Sequence, residues 1–184
     1  MNVTKITSSY RFKLMSRVYK KWLKKEERVL DVGCGNGIVT KLLMDQLELK
    51  ITACDVKNYL IYDLPFIKIE GNRLPSSKIK YDAILLNDVL HHIPRDKQIF
   101  LLKACLKVSN KVLIFEAKPT ILGKLADIIL NKFHYDDLSV PLSFRSKEDW
   151  EVIFKTLSLK YKIVTLQRPF WYPFSHIAIL LKKS

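Results

Sequence analysis

Apolar and polar positions along the chain follow two rhythms. Between residues 10 and 25, Leu14, Met15, Val18, Tyr19, Trp22 and Leu23 recur at helical spacing with Lys13, Arg17, Lys20, Lys21 and Lys24 between them, which predicts a basic amphipathic helix. Four short runs rich in Val, Ile and Leu come next: RVLDVG, KITACDV, YDAILLN and KVLIFEA. Each is a continuous apolar stretch of strand length, as expected of a strand covered on both faces. Helical stretches separate them at residues 38–47, briefly near Tyr59, and at 96–107, where Pro94 opens a helix carrying Ile99, Leu102, Cys105 and Leu106 on one face. Strands alternating with helices predict a doubly wound, mostly parallel α/β sheet. After Pro119 the pattern predicts a helix over 121–133, a polar loop, and a second helix that Ser146 and Asp149 open as a capping box. The chain closes with KYKIVTLQ and HIAILLKK, whose short connection RPFWYPF fits an antiparallel hairpin.

A chain of 184 residues can bury one core of ordinary size, and no repeat or Gly/Ser linker marks a boundary, so one domain over 1–184 is expected. No run approaches the ~18 apolar residues of a membrane span, and the start of the chain lacks the apolar segment of a signal peptide. The three cysteines show no metal-like spacing and cannot form a disulfide framework. A reduced, cytoplasmic protein without a metal is the expectation. The net charge of +14 is concentrated at the ends: residues 1–28 hold nine Lys/Arg against two Glu, and residues 155–184 hold six against none. Brought together, the ends would make a basic surface for phosphate, anionic lipid or an acidic small molecule; a solubilising surface is the plain alternative.

Chemistry concentrates where the first strand ends. It runs directly into Gly33-Cys34-Gly35-Asn36-Gly37 and then a helix, a geometry in which glycines let a ligand lie against backbone amides. The spacing is G-x-G-x-G, and Asp31 stands just before it, where a carboxylate would repel a pyrophosphate but accept hydrogen bonds from an ammonium. Dinucleotide binding is therefore disfavoured. Asp55 ends the second strand eighteen residues after Gly37, near the interval at which an acid takes a ribose diol. An adenosine carrying an ammonium suits both carboxylates.

The segments VLDVGCGNG, CDV, GNRLP and YDAILLNDVLHHIP resemble those of the class I S-adenosylmethionine-dependent methyltransferases, in the small-molecule and quinone methyltransferase-like branch. The resemblance implies a Rossmann-like fold of seven strands with an antiparallel C-terminal hairpin, and S-adenosylmethionine as cofactor. It divides the chain into a basic helix (1–27), a cofactor-binding core (28–118), and acceptor-side helices with the closing hairpin (119–184). It implies that Asp31, Gly33 and Cys34 lie along the methionine moiety, that Gly35 permits close approach, and that Asp55, with Val56 after it, takes the ribose. Asn72 and Arg73 stand toward the adenine, where Asn72 replaces the usual Asp and can still accept a hydrogen bond. Asn87 stands beside the sulfonium, and Tyr10 and Arg11 close over the cofactor carboxylate.

His91 and His92 follow the fourth strand, where a neutral imidazole can take a proton from an acceptor hydroxyl; capping or loop packing is the bland reading. Glu116 at the end of the fifth strand and Trp171 in the hairpin loop are candidates on the substrate side, against simple solvation and core packing respectively. Sequence after the fourth strand, Asn87-Asp88-Val89-Leu90, has no Pro-Pro-aromatic run, so amino-directed nucleobase chemistry is disfavoured. The hairpin loop holds four of the chain's twenty aromatics beside a basic segment, which favours a small, lipid-like or anionic acceptor. The same pairing leaves open an RNA methyltransferase, a peripheral membrane contact, and a non-catalytic cofactor-binding protein.

Overall fold

The structure, a computed structural model, describes residues 3–70, 74, 80–120, 123, 142–169 and 172–183. Helix α1 (Val3–Tyr19) leads into β1 (Arg28–Val32), α2 (Ile38–Leu47), β2 (Lys50–Asp55), β3 (Phe66–Lys68) and β4 (Ala83–Asn87). A 3₁₀ turn (Leu90–His92), α3 (Arg95–Val108), β5 (Lys111–Ala117), α4 (Lys147–Thr156), β6 (Lys160–Thr165) and β7 (His176–Lys182) complete the order. The strands form one seven-stranded sheet in the order β3-β2-β1-β4-β5-β7-β6. Strands β1 to β5 pair in parallel, while β7 lies antiparallel between β5 and β6. The doubly wound fold with a closing antiparallel hairpin expected from the sequence is the one observed.

Alternation along the strands divides the core. Leu30, Val32, Ile84 and Leu86 pack on one face with Leu102 of α3 and Trp150 and Phe154 of α4. Val29, Leu85, Leu113 and Phe115 pack on the other with Leu14 and Met15 of α1 and Leu43 of α2. Strand order reverses between β1 and β4, and in open α/β sheets the crevice beyond such a reversal is where ligands bind. The glycine loop after β1 and the turn after β4 meet there. The capping box on α4 forms as its sequence predicts: Asp149 N–H donates to Ser146 Oγ at 3.1 Å and Ser146 N–H to Asp149 Oδ2 at 3.0 Å.

Local departures have local causes. Helix α1 begins at Val3 and ends at Tyr19, earlier than its apolar spacing predicts, and Leu23 is buried from the turn beyond it. The short helix expected near Tyr59 is a run of bends, in which Asn58 Oδ1 accepts the Leu60 N–H at 3.0 Å and competes with a helical bond. Edge strand β3 has only three residues, too few for a periodic signal. The helix expected over 121–133 falls outside the described residues, apart from Gly123.

Candidate cofactor and acceptor site

At the end of β1, Asp31 is 2% exposed. Thr40, in the first turn of α2, donates its hydroxyl to Asp31 Oδ2 at 2.7 Å, and Asn87 Nδ2 at the end of β4 donates to Oδ1 at 3.2 Å. Burial pushes the Asp31 carboxyl up to about 6; Thr40 and Asn87 oppose that shift and neighbouring Asp55 adds to it. Its hydrogen-bond partners are thus a hydroxyl and an amide, both neutral, so a cation brought by a ligand would relieve the cost of burying its charge.

The glycine loop is fastened mainly through its backbone. Gly33 N–H donates to Cys54 O at 2.8 Å, and Gly35 N–H donates to Asp55 Oδ2 at 2.9 Å. Val56 N–H donates to the other oxygen, Asp55 Oδ1, at 2.7 Å. Burial raises the half-buried Asp55 carboxyl, and these two N–H groups oppose the rise. Gly33 has φ +74° and faces the turn after β4, where a side chain would run into Val89. Only glycine lets the loop and that turn close on each other. Val56 is 50% exposed and continues from Asp55 as an open apolar surface.

Across the reversal, beyond β4 and β5, side chains hold one another. Asp88 adopts φ +53°, a left-handed backbone, and its carboxylate meets Arg11 Nη1 at 3.1 Å and His176 Nε2 at 3.3 Å. Burial works against the Asp88 charge, but His176, Arg11 and His91 outweigh it and hold the carboxyl well below the usual range. Glu116, 3% exposed, accepts the Val89 and Leu90 N–H groups on Oε1 at 2.9 and 2.6 Å, while Oε2 lies 2.6 Å from His91 Nδ1. His91 also stacks on Phe144 at 4.7 Å, and His176 on Phe115 at 4.3 Å. Asp88, His91 and Glu116 bring ligand-type atoms within 4.8 Å of one another, yet both carboxylates already serve these pairs.

Beyond this geometry, a family profile described as "Methyltransferase domain" matches residues 8–160, most of the chain. The chain belongs to that methyltransferase family. A ribosomal protein L11 methyltransferase of Campylobacter concisus (strain 13826) is 28% identical over 143 residues, 73% of this chain and 48% of that protein. The chain thus spans about half the length of the curated relative it matches. A SAM-dependent methyltransferase from Archaeoglobus fulgidus aligns with TM-score 0.70 and 18% identity, covering 96% of this chain and 94% of that one. The magnesium protoporphyrin IX methyltransferase from Synechocystis PCC 6803, solved with SAH, aligns with TM-score 0.67 and 13% identity over 97% of this chain and 84% of that one. The fold agrees with that family and is shared with the SAM-dependent methyltransferase from Archaeoglobus fulgidus.

In this methyltransferase, Asp31, Gly33, Cys34, Gly35, Asp55 and Val56 lie at the switch point beside Asn87. Burial pushes the Cys34 thiol up, so it stays a neutral filler. Arg11 pairs with Asp88, and Tyr10 packs its ring 4.6 Å from Tyr172, both on the α1 side of the crevice. His91 is buried and His92 is partly buried, its ring 4.1 Å from that of His91. Glu116 is enclosed and fully engaged with the turn after β4 rather than solvated at the strand end. Asn72, Arg73 and Trp171 lie outside the described residues. Sequence reasoning missed Thr40, Tyr19, Asp88 and His176 as site residues. Asp88, directly after the flagged Asn87, carried the one available signal. No helix among the described residues is long and apolar enough to cross a membrane.

Proposed function

We propose that this methyltransferase transfers the methyl group of S-adenosylmethionine to a small acceptor, lipid-like or anionic, by direct displacement over the C-terminal ends of β4 and β5. The buried Asp31 carboxylate with neutral partners carries the reading: it suits the ammonium of the cofactor, while Asp55 suits the ribose hydroxyls. When bound, S-adenosylmethionine supplies an electrophilic methyl on a sulfonium that departs as a neutral thioether. The chain's own task is therefore mainly alignment and exclusion of water. Asn87 and Asp31 orient one partner, and α1 with residues 142–144 encloses the other from both sides, through Arg11–Asp88 and through the Ser143 N–H donated to His91 O at 2.7 Å.

Both oxygens of Glu116 act as acceptors, so the His91 ring donates from Nδ1 and keeps Nε2 as its basic nitrogen. That supports His91 as the group that takes a proton from an acceptor hydroxyl or ammonium, with His92 beside it at the edge of the crevice. Tyr10, Phe144 and Tyr172 around the crevice favour an apolar or aromatic acceptor over a polynucleotide. Radiolabelled methyl transfer from S-adenosylmethionine across a panel of phenolic, quinol, lipid-like and RNA acceptors tests the reading. Turnover with small acceptors that His91→Gln abolishes while cofactor affinity holds is the expected result. Turnover with RNA alone, or none with any acceptor despite cofactor binding, would overturn it.

A further inference from the structure

We propose that Tyr19 is a positioning residue for the cofactor, acting through Asn87 to set the Asp31 carboxylate. The inference rests on the reading that Asp31 receives the cofactor's ammonium. Tyr19 is the last residue of α1 and has no exposed surface. Its hydroxyl donates to Asn87 Oδ1 at 2.8 Å, and Asn87 Nδ2 donates in turn to Asp31 Oδ1 at 3.2 Å. A carboxamide is nearly symmetric in shape, so packing alone does not choose between its two orientations. The ionised carboxylate accepts only and so calls for the N–H, and the phenol, donating to Oδ1 on the other side, holds the amide in that orientation. Each link polarises the next in the buried interior.

The same helix is pinned at two consecutive residues of the β4 end, Tyr19 to Asn87 and Arg11 to Asp88. The docking of α1 and the aim of Asp31 are therefore one arrangement. Groups facing Asp31 are Thr40 from α2, Asn87 from β4, Asp55 from β2 and the thiols of Cys34 and Cys54. Tyr19 faces Asp31, Asp88 and Glu116, and burial first, then these charges, keep its hydroxyl protonated far above neutral pH. It remains a donor throughout the working range.

Tyr19→Phe keeps the ring and removes the donor, leaving Asn87 Oδ1 without a partner. Two measurements separate the inference from the reading beneath it. In the ligand-free protein, ¹³C-carboxyl NMR follows the titration of Asp31, assigned by its loss in Asp31→Asn. The Phe variant should titrate at higher pH than the wild type, because the amide no longer offers its N–H in a fixed direction. Calorimetry with S-adenosylhomocysteine at pH 7.5 should give a roughly three- to tenfold weaker affinity, the range of one lost hydrogen bond. Leu14→Ala, a packing change elsewhere in α1, serves as the control, lowering stability without moving the Asp31 midpoint. An unchanged Asp31 titration in Tyr19→Phe, or an equal shift in Leu14→Ala, would overturn the positioning role. A shifted titration in a protein that does not bind S-adenosylhomocysteine would instead sink the cofactor assignment and with it this use of the residue.

Discussion

The two sides of the crevice are built by different means. Beyond β1 and β2, backbone N–H groups of Gly33, Gly35 and Val56 hold the loops, and Asp31 and Asp55 keep capacity for a ligand. Beyond β4, β5 and β7, side chains from four separate segments neutralise one another: Arg11, Asp88, His91, Glu116 and His176. The first side stores an unmet demand for positive charge; on the second, opposite charges meet within the protein. Substitutions on the cofactor side should therefore lose binding before stability, and removal of a buried carboxylate on the acceptor side should lose stability first.

The sharpest break is expected at Glu116. Glu116→Ala leaves the Val89 and Leu90 N–H groups and His91 Nδ1 buried without their acceptor. Losing one partner of a buried, hydrogen-bonded charge costs about 3–5 kcal/mol. Urea unfolding reads this directly, and Glu116→Gln, which keeps one acceptor oxygen, should recover part of it. A loss below about 1 kcal/mol would mean the acceptor side is not held as described.

Asp55→Ala tests the other side. Loss of a charge-assisted bond to the ribose should weaken S-adenosylmethionine binding by about 1.5–3 kcal/mol in calorimetry, while the melting temperature moves little. Unchanged affinity would detach Asp55 from the ligand and leave it as a strap for Gly35 and Val56 alone.

Acid should act on the two sides with opposite sign. The folded Asp31 carboxyl titrates near 6, above its unfolded value, so its contribution to stability is full below about pH 4 and is lost as pH rises through 6. Asp88 titrates below its unfolded value, so its contribution is present above about pH 4 and is lost as pH falls further. Cofactor affinity needs the charged Asp31 and should fall about tenfold per unit below pH 6. A flat affinity between pH 5 and 7, measured by calorimetry with S-adenosylhomocysteine, would contradict a carboxylate–ammonium contact at Asp31.

That contrast also explains what could be read from the sequence. The glycine loop and its carboxylates were legible because their spacing is local, four strands because each is a continuous apolar run, and β6 and β7 because a short connection joins two strand-like segments. Strand β3 was not, being short and half exposed at the sheet edge. The acceptor side resisted because its contacts join residues far apart: Tyr19 to Asn87 across 68 positions and Arg11 to Asp88 across 77. Glu116 at a strand end is as compatible with solvation as with burial until the turn after β4 folds over it. Thr40 was hidden among helix positions, where a hydroxyl usually faces solvent or its own backbone.

The smallest effect is expected from the basic turn after α1. Lys20, Lys21 and Lys24 belong to the basic stretch that the sequence marks, and the chain there passes toward the ends of the strands opposite the crevice. Trp22 O accepts a hydrogen bond from Lys111 at the start of β5, and Glu26 pairs with Lys50 at the start of β2. The three lysines are exposed at that far end. Exposed charges of this kind are screened in ordinary buffer over about 8–10 Å. Replacing all three by Gln should change stability by no more than about 0.5 kcal/mol and leave both acceptor KM and cofactor affinity as they are. Steady-state kinetics at low and high salt decide the matter. A KM that rises in the triple variant, and rises most at low salt, would show that charge from the far end reaches the acceptor, and the division between the two sides of the crevice would have to include the turn that leads into β1.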